Sequence, residues 1–288
     1  MEFSASRILF LPFIPQPASD YNTIYTTLLC ALENETTFDQ HLYTKAQEIV
    51  AAAPEGSDLS KIAIRLEGFP LLGSFFGAFG YIMQGSGIKE VLSLIYAPNS
   101  LDKMLNGHAY ARAVRAHTLL HLTLATIISK ELVIDDDMDA NLQNTIEDVK
   151  NNTISYNDIE NCDEKTEALF YQCNKKLKQY EGRGSIGKLW IQYFHIVLIA
   201  KEFIRAQRVG DWQAHLNSVK EIFPYFHASG HFPYAKSTHL YLQDILQLEN
   251  FIDPSVYRRF IQGFLTVRRS AKFSCRTSTY MIIEQSLM

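Results

Sequence analysis

Apolar residues recur at helical spacing along most of this chain and at strand spacing in few places. Leu42, Ala46, Ile49 and Val50 mark one face of QHLYTKAQEIVAAA, and Asp39 stands in front of it where an N-cap belongs. Asp20 precedes YNTIYTTLLCALEN in the same way. KIAIRL, residues 61–66, alternates with period two and predicts a strand, and ILFLPFI, residues 8–14, predicts another. The segment ALENETTFDQ is short and polar, and it leaves no room for an apolar strand ahead of Asp39. From Phe69 onward the period is helical. FPLLGSFFGAFGYIM and GIKEVLSLIYA, the latter stopped by Pro98, come first. LDKMLNGHAYARAVRAHTLLHLTLATIISKEL then predicts one long helix capped by Ser100, with His108, Arg112 and Arg115 on a shared face.

A second helical block opens near Ser185. It runs through SIGKLWIQYFHIVLIAKEFIRAQRVG, DWQAHLNSVKEIFPYF and AKSTHLYLQDILQLENF to PSVYRRFI. Gly210 followed by Asp211 reads as a C′ glycine handing over to an N-cap. GFLTVRRS predicts a strand, and STYMIIEQSLM opens a helix that reads as cut short about one turn into Glu284–Met288. The expected fold class is mainly α, a multi-helix array with a few short strands. Three regions are expected: an N-terminal α(+β) region over 1–134, an acidic polar linker or mobile excursion over 135–184, and a C-terminal helical region with a basic end over 185–288.

At 288 residues the chain is long enough to bury a sizeable core, and 47% hydrophobic with 20% charged residues is a globular balance. A net charge of −4 means that nucleic acid would have to meet a local basic patch. Cys30, Cys162, Cys173 and Cys275 are scattered without a CxxC pair, which excludes a zinc ribbon and suggests free thiols in a reducing compartment, cytoplasmic or nuclear. The N-terminal apolar run lacks a basic flank and is interrupted by Pro12, Pro15 and Pro17, unlike a signal peptide. Phe69–Met83 spans 15 residues, fewer than a bilayer core requires, so no membrane association is expected.

Several clusters carry candidate chemistry. His227, His231 and His239 lie within thirteen residues, with Asp244 five further on, which is a zinc-ligand inventory if two helices converge. The alternative is a tight helix–helix corner whose imidazoles donate to backbone carbonyls freed at the break, since Gly230 and Pro233 interrupt any single helix there. Asp135, Asp136, Asp137 and Asp139 lack the glycine and terminal glutamate of a calcium loop and read as a solvated charge run. GSFFGAFG and GRGSIGK lack the spacing of a phosphate loop. Arg258, Arg259, Arg268, Arg269, Lys272 and Arg276 are interleaved with Phe and Tyr. They can neutralise phosphates without reading sequence, or serve as a solvated face.

LPFIPQPASDYNTIYTTL, TFDQHLYTKA, GSGIKEVLSLIYAPNS, GHAYARAVRAH and GDWQAHLNSVKEIFPYFHASGHFPYAKSTHLYLQD resemble a large family of animal proteins of transposon origin, present in many lineage-specific copies. The resemblance covers almost the whole chain. It implies the remnant of an RNase H-like core carrying a large helical insertion, with a catalytic Asp on the first strand, a second acid after a later strand and a Glu on the final helix. Asp39 and Glu284 match the first and last of these, and magnesium would be their cofactor. Gly68 stands where that scheme expects the second acid, and Pro70 where the family pattern has histidine. The resemblance therefore implies a degenerate, truncated copy. The expectation is a non-catalytic protein without cofactor that binds protein or nucleic acid weakly. The alternatives are a metal-dependent nuclease using Asp39 and Glu284, or a zinc-binding module using His227, His231 and His239.

Overall fold

The computed structural model of the protein describes residues 17–30, 36–62, 64–133, 140–151, 153–154, 164–252, 254–259 and 261–262. It is mainly α. In chain order the helices are α1 (Tyr21–Cys30), α2 (Gln40–Ala51), α3 (Gly68–Ile82), α4 (Ile88–Ser93), α5 (Pro98–Leu105), α6 (Tyr110–Val133) and α7 (Ala140–Lys150), then α8 (Glu164–Glu181), α9 (Ser185–Val209), α10 (Trp212–Ala228), α11 (Phe232–Leu246), α12 (Leu248–Phe251) and α13 (Pro254–Arg259). Two strands, β1 (Thr36–Phe38) and β2 (Ile64–Leu66), complete the set. Contacts divide the chain into one unit of Met1–Ile82, Tyr96–Tyr110 and Leu198–Met288, and a second of Met83–Ile95 and Ala111–Val197. Among the described residues no helix is long and apolar enough to cross a membrane.

In the first unit β1 and β2 pair in parallel, with Thr36 opposite Ile64 and Phe38 opposite Leu66. Helix α2 is the crossover between them. The strand ahead of Asp39 corrects the sequence expectation. Two β-branched threonines and the buried Phe38 suffice, because a parallel ladder is made by backbone groups and needs no apolar run. Asp39 does cap α2, its Oδ1 accepting the Leu42 N–H at 2.9 Å, and Asp20 Oδ1 accepts the Asn22 N–H at 2.8 Å in front of α1.

Helix α3 buries Leu71, Leu72, Phe75, Phe76 and Phe79, so the apolar run is a core helix. Phe75 meets Phe79, Tyr225 and Phe226 edge to face, with ring centroids 5.7, 5.7 and 6.4 Å apart. Gly73, Gly77 and Gly80 share one face of this helix, and the turn after α5 lies against that face. A Cβ on Gly80 would stand 2.0 Å from the Leu105 carbonyl oxygen. In the turn itself Gly107 has φ +79°, and its own Cβ would fall 1.9 Å from the Gly73 oxygen. The glycine-rich run is thus a packing surface for backbone.

The single long helix expected from residue 101 is two. Helix α5 starts at Pro98 with Ala97 in extended conformation as its cap, and Ser100 lies inside it. The left-handed Gly107 ends the helical path, and α6 begins afresh at Tyr110. His108 sits in the intervening turn and so does not share a helical face with Arg112 and Arg115.

Helix α11 closes the first unit over α2. Gln40 Nε2 donates to Ser237 Oγ at 3.1 Å, Gln47 Nε2 to Asp244 Oδ2 at 2.6 Å, and the Tyr43 and Tyr241 rings meet edge to face at 6.5 Å. The Gly210–Asp211 handover reads as expected: Gly210 has φ +75° and Asp211 Oδ1 accepts the Ala214 N–H at 3.0 Å.

In the second unit His117 on α6 shares a 2.9 Å hydrogen bond between its Nδ1 and the Tyr193 hydroxyl. One turn on, His121 stacks on Phe194 at 4.2 Å. Trp190 Nε1 donates to the Ser86 carbonyl at 3.1 Å. Inside the acidic stretch, α7 and α8 pack on one another, and Thr145 and Thr166 are buried. Asp135, Asp136, Asp137 and Asp139 lie outside the described residues, as do the strands expected at 8–14 and 263–270 and the expected last helix.

Candidate functional site

Two acids stand at the same end of the strand pair. The Glu67 N–H donates to the Phe38 carbonyl at 2.8 Å and so continues the ladder one step. Asp39 and Glu67 therefore leave neighbouring parallel strands at their carboxyl ends, each at the start of a helix. This is where open parallel sheets hold ligands. Tyr234 on α11 faces them: its hydroxyl is pushed up to about 12 by burial, then by the charges of Asp39 and Glu67. The acid that follows β2 is Glu67, one residue ahead of the position where the sequence pattern placed it. Gly68 opens α3 instead, where a Cβ would stand 3.2 Å from Gln207 Nε2. Glu284 lies outside the described residues.

The Asp39 carboxylate already serves α2. We expect Asp39→Ala to destabilise the protein by about 1 kcal/mol through the lost cap, and Asp39→Asn to be nearly neutral because asparagine caps equally well. Urea denaturation of the two variants checks this. A cost in the asparagine variant as large as in the alanine one would mean that the charge, rather than the cap, holds the strand end.

Beneath the strand ends runs a buried polar chain. Gln207 Nε2 is 2.8 Å from His215 Nδ1, and His215 Nε2 is 3.1 Å from the Tyr241 hydroxyl. An amide NH2 only donates, so with Gln207 placed this way His215 accepts at Nδ1 and carries its proton on Nε2, donating to Tyr241. Burial, and then the charge of Arg65 on β2, lower the His215 pKa to about 3. The imidazole is neutral at physiological pH, and both nitrogens are committed to neighbours inside the core. That arrangement holds α9, α10 and α11 in register.

The three histidines singled out in the sequence lie at the α10–α11 corner, which turns through Gly230 at φ +76°. Their imidazoles meet aromatic rings and a hydroxyl, which corrects the expectation that they would donate to backbone carbonyls. His231 Nδ1 pairs with Ser229 Oγ at 2.8 Å. His227 lies edge-on to Phe223 at 5.0 Å and to Phe232 at 6.4 Å. His239 stacks on Phe223 at 5.9 Å with an interplanar angle of 25°. Among the described residues no group of three or more His, Cys, Asp or Glu is placed to hold a metal ion.

Around the half-buried Phe223, the corner presents His227, Phe232 and His239 to solvent, with lysines on the same helices. Lys220, Phe223 and His227 are spaced three and four apart on α10, and Phe232, Lys236 and His239 four and three apart on α11. Lys220, His227, Lys236 and His239 are exposed, and Phe232 is 64% exposed. Of the neighbouring acids, one has a hydrogen-bond partner and one is exposed. Asp244 takes the Gln47 amide, and Glu221 lies near Tyr225, whose hydroxyl is pushed up by burial and then by that charge. In the basic stretch, Arg258 is exposed with its Nε on the Pro254 carbonyl at 3.2 Å, and Arg259 ends α13. Arg268, Arg269, Lys272 and Arg276 lie outside the described residues.

The sequence reading missed Glu67, Tyr234, Lys220, Phe223, Phe232 and Lys236. Only the spacing of the last four along their helices was there to be read, and joining the two stripes requires the corner itself. No curated protein and no solved structure matches the chain. A family model described as "Domain of unknown function (DUF8702)" matches residues 1–288, its whole length, so the chain belongs to the DUF8702 family.

Proposed function

We propose that this protein is a non-catalytic helical binding protein that holds nucleic acid through its phosphates, independently of sequence. The observation that carries this reading is the stripe on α10 and α11, where two exposed lysines and two exposed imidazoles lie beside phenylalanine rings and Asp244 is held by the Gln47 amide. Such a surface supplies local positive charge on a chain of net charge −4. The basic stretch from Arg258 to Arg276 adds cations to the same task. Other observations favour binding over chemistry. The strand-end Asp39 is committed to capping α2, and the imidazoles with the most depressed pKa, His117 and His215, are buried in helix contacts. A transposon ancestry, carried by the sequence resemblance alone, belongs to the same proposal.

Fluorescence anisotropy on two unrelated DNA duplexes across a salt series tests it. Phosphate neutralisation releases counterions, so with about four contacts a fourfold rise in salt should weaken binding roughly a hundredfold. Both duplexes should bind within tenfold of each other, and neither should be cleaved in magnesium or manganese. The double variant Lys220→Gln, Lys236→Gln should make the logarithmic salt slope shallower by about 2. Salt-insensitive binding, a strong preference for one duplex, or cleavage lost in Asp39→Asn would overturn the reading.

A further inference from the structure

Resting on that binding reading, we infer that the α10–α11 corner takes single-stranded nucleic acid, with unpaired bases stacked on its phenylalanine and imidazole rings. Phosphate attraction alone needs cations, and it does not account for Phe232, His227 and His239 set in solvent around the half-buried Phe223. Phe223 and His239 already form a stack at 25° between planes, and His227 bridges Phe223 to Phe232 edge-on. Phe232, 64% exposed, leads the row at the first position of α11. Left in water, a ring of that size contributes no burial to the fold, whereas a base offers it a flat π-face.

The placement of charge fits a strand that tracks along the corner. Lys220 lies one turn before Phe223, and Lys236 lies one turn before His239. Phe223, Phe232 and His239 each therefore have an ammonium group within a helical turn, a spacing that suits a phosphate–base polymer. A duplex keeps its bases inside and can engage only the lysines. An acidic polypeptide likewise would pair with the lysines and leave the rings without partners of their own kind.

Four probes at one salt concentration separate these cases: a 20-nucleotide oligothymidylate, an abasic strand of equal length, a mixed-sequence duplex and polyglutamate, each measured by anisotropy or competition. The oligothymidylate should bind at least about fivefold tighter than the abasic strand, since one stacked base contributes that much or more. Phe232→Ala should lose about tenfold on oligothymidylate and nothing on the abasic strand, with its salt slope unchanged, while Phe232→Trp should retain or tighten binding. The exposure of Phe232 makes both variants safe for the fold, and circular dichroism at equal concentration confirms it. Equal affinity for the two single strands, or a silent Phe232→Ala, would overturn the stacking inference while leaving phosphate binding intact. Polyglutamate competing as well as oligothymidylate would overturn it in favour of an acidic protein partner. Binding to none of the nucleic acids would remove the functional proposal as well.

Discussion

Replacing Gly80 by alanine is expected to destabilise the protein by about 3 kcal/mol, although alanine is the better helix former. An added Cβ would lie 2.0 Å from the Leu105 oxygen and 2.9 Å from its carbonyl carbon. Both are backbone atoms of the turn that returns from α5, so relief requires moving that turn bodily off α3. For a chain of this size the melting temperature should fall by about 6–12 °C. Gly73→Ala on the same helix face supplies the contrast. Its new methyl would meet the Gly107 oxygen at 3.4 Å, an ordinary contact, so the propensity gain of up to about 1 kcal/mol should survive. Thermal melts of the two variants read opposite signs if backbone contact governs this face. Equal effects would mean that the α5 turn yields.

Acid should weaken the fold well above the range in which carboxylates protonate. His117 and His215 are both lowered to about 3 by burial, His215 also by the charge of Arg65. In the unfolded chain each imidazole titrates near 6.5, so between those values the unfolded state binds more protons. The stability that neutral burial confers is complete above about pH 6.5 and is lost progressively as pH falls toward the folded value. At pH 5 the loss is about 1.5 pH units at 1.4 kcal/mol each, roughly 2 kcal/mol per imidazole. His117 belongs to one unit and His215 to the other, so both should soften. Urea midpoints at pH 8, 6.5 and 5 measure it, and His215→Phe should flatten the acid dependence of its unit while lowering stability at neutral pH. Midpoints that hold constant to pH 5 would mean that the imidazoles take up protons in place.

The parts of this architecture that were legible in the sequence are those fixed within one helical turn. Asp39 and Asp211 accept the N–H groups of Leu42 and Ala214, three residues on, and Gly210 and Gly230 sit at the left-handed positions where helices end. What escaped was set by distant neighbours. β1 exists because β2 supplies its backbone partners 28 positions later, and nothing in ENETT reports that pairing. Gly107 looked like one more residue in a helical run, because its left-handed conformation is imposed by the close approach to Gly73. His215 was passed over as a helix residue: its partners Gln207 and Tyr241 come from two other helices. The three clustered histidines are neighbours in sequence but not in partners: His227 and His239 meet the Phe223 ring, and His231 pairs with Ser229.

The hydrogen bonds from Gln40 to Ser237 and from Gln47 to Asp244 each span 197 positions. On a ribosome this sets an order of events. Helices α2 and α3 emerge early, but α10 and α11, which cover them, come after the whole of the second unit has been made. At ordinary translation rates the interval from the end of α3 to the end of α11 lasts roughly ten to thirty seconds. Through that time the Phe75 ring has no Phe226 to meet. The second unit, drawn from residues 83–95 and 111–197, can condense while the first waits. Nascent α3 thus keeps its aromatic face uncovered until α10 and α11 arrive.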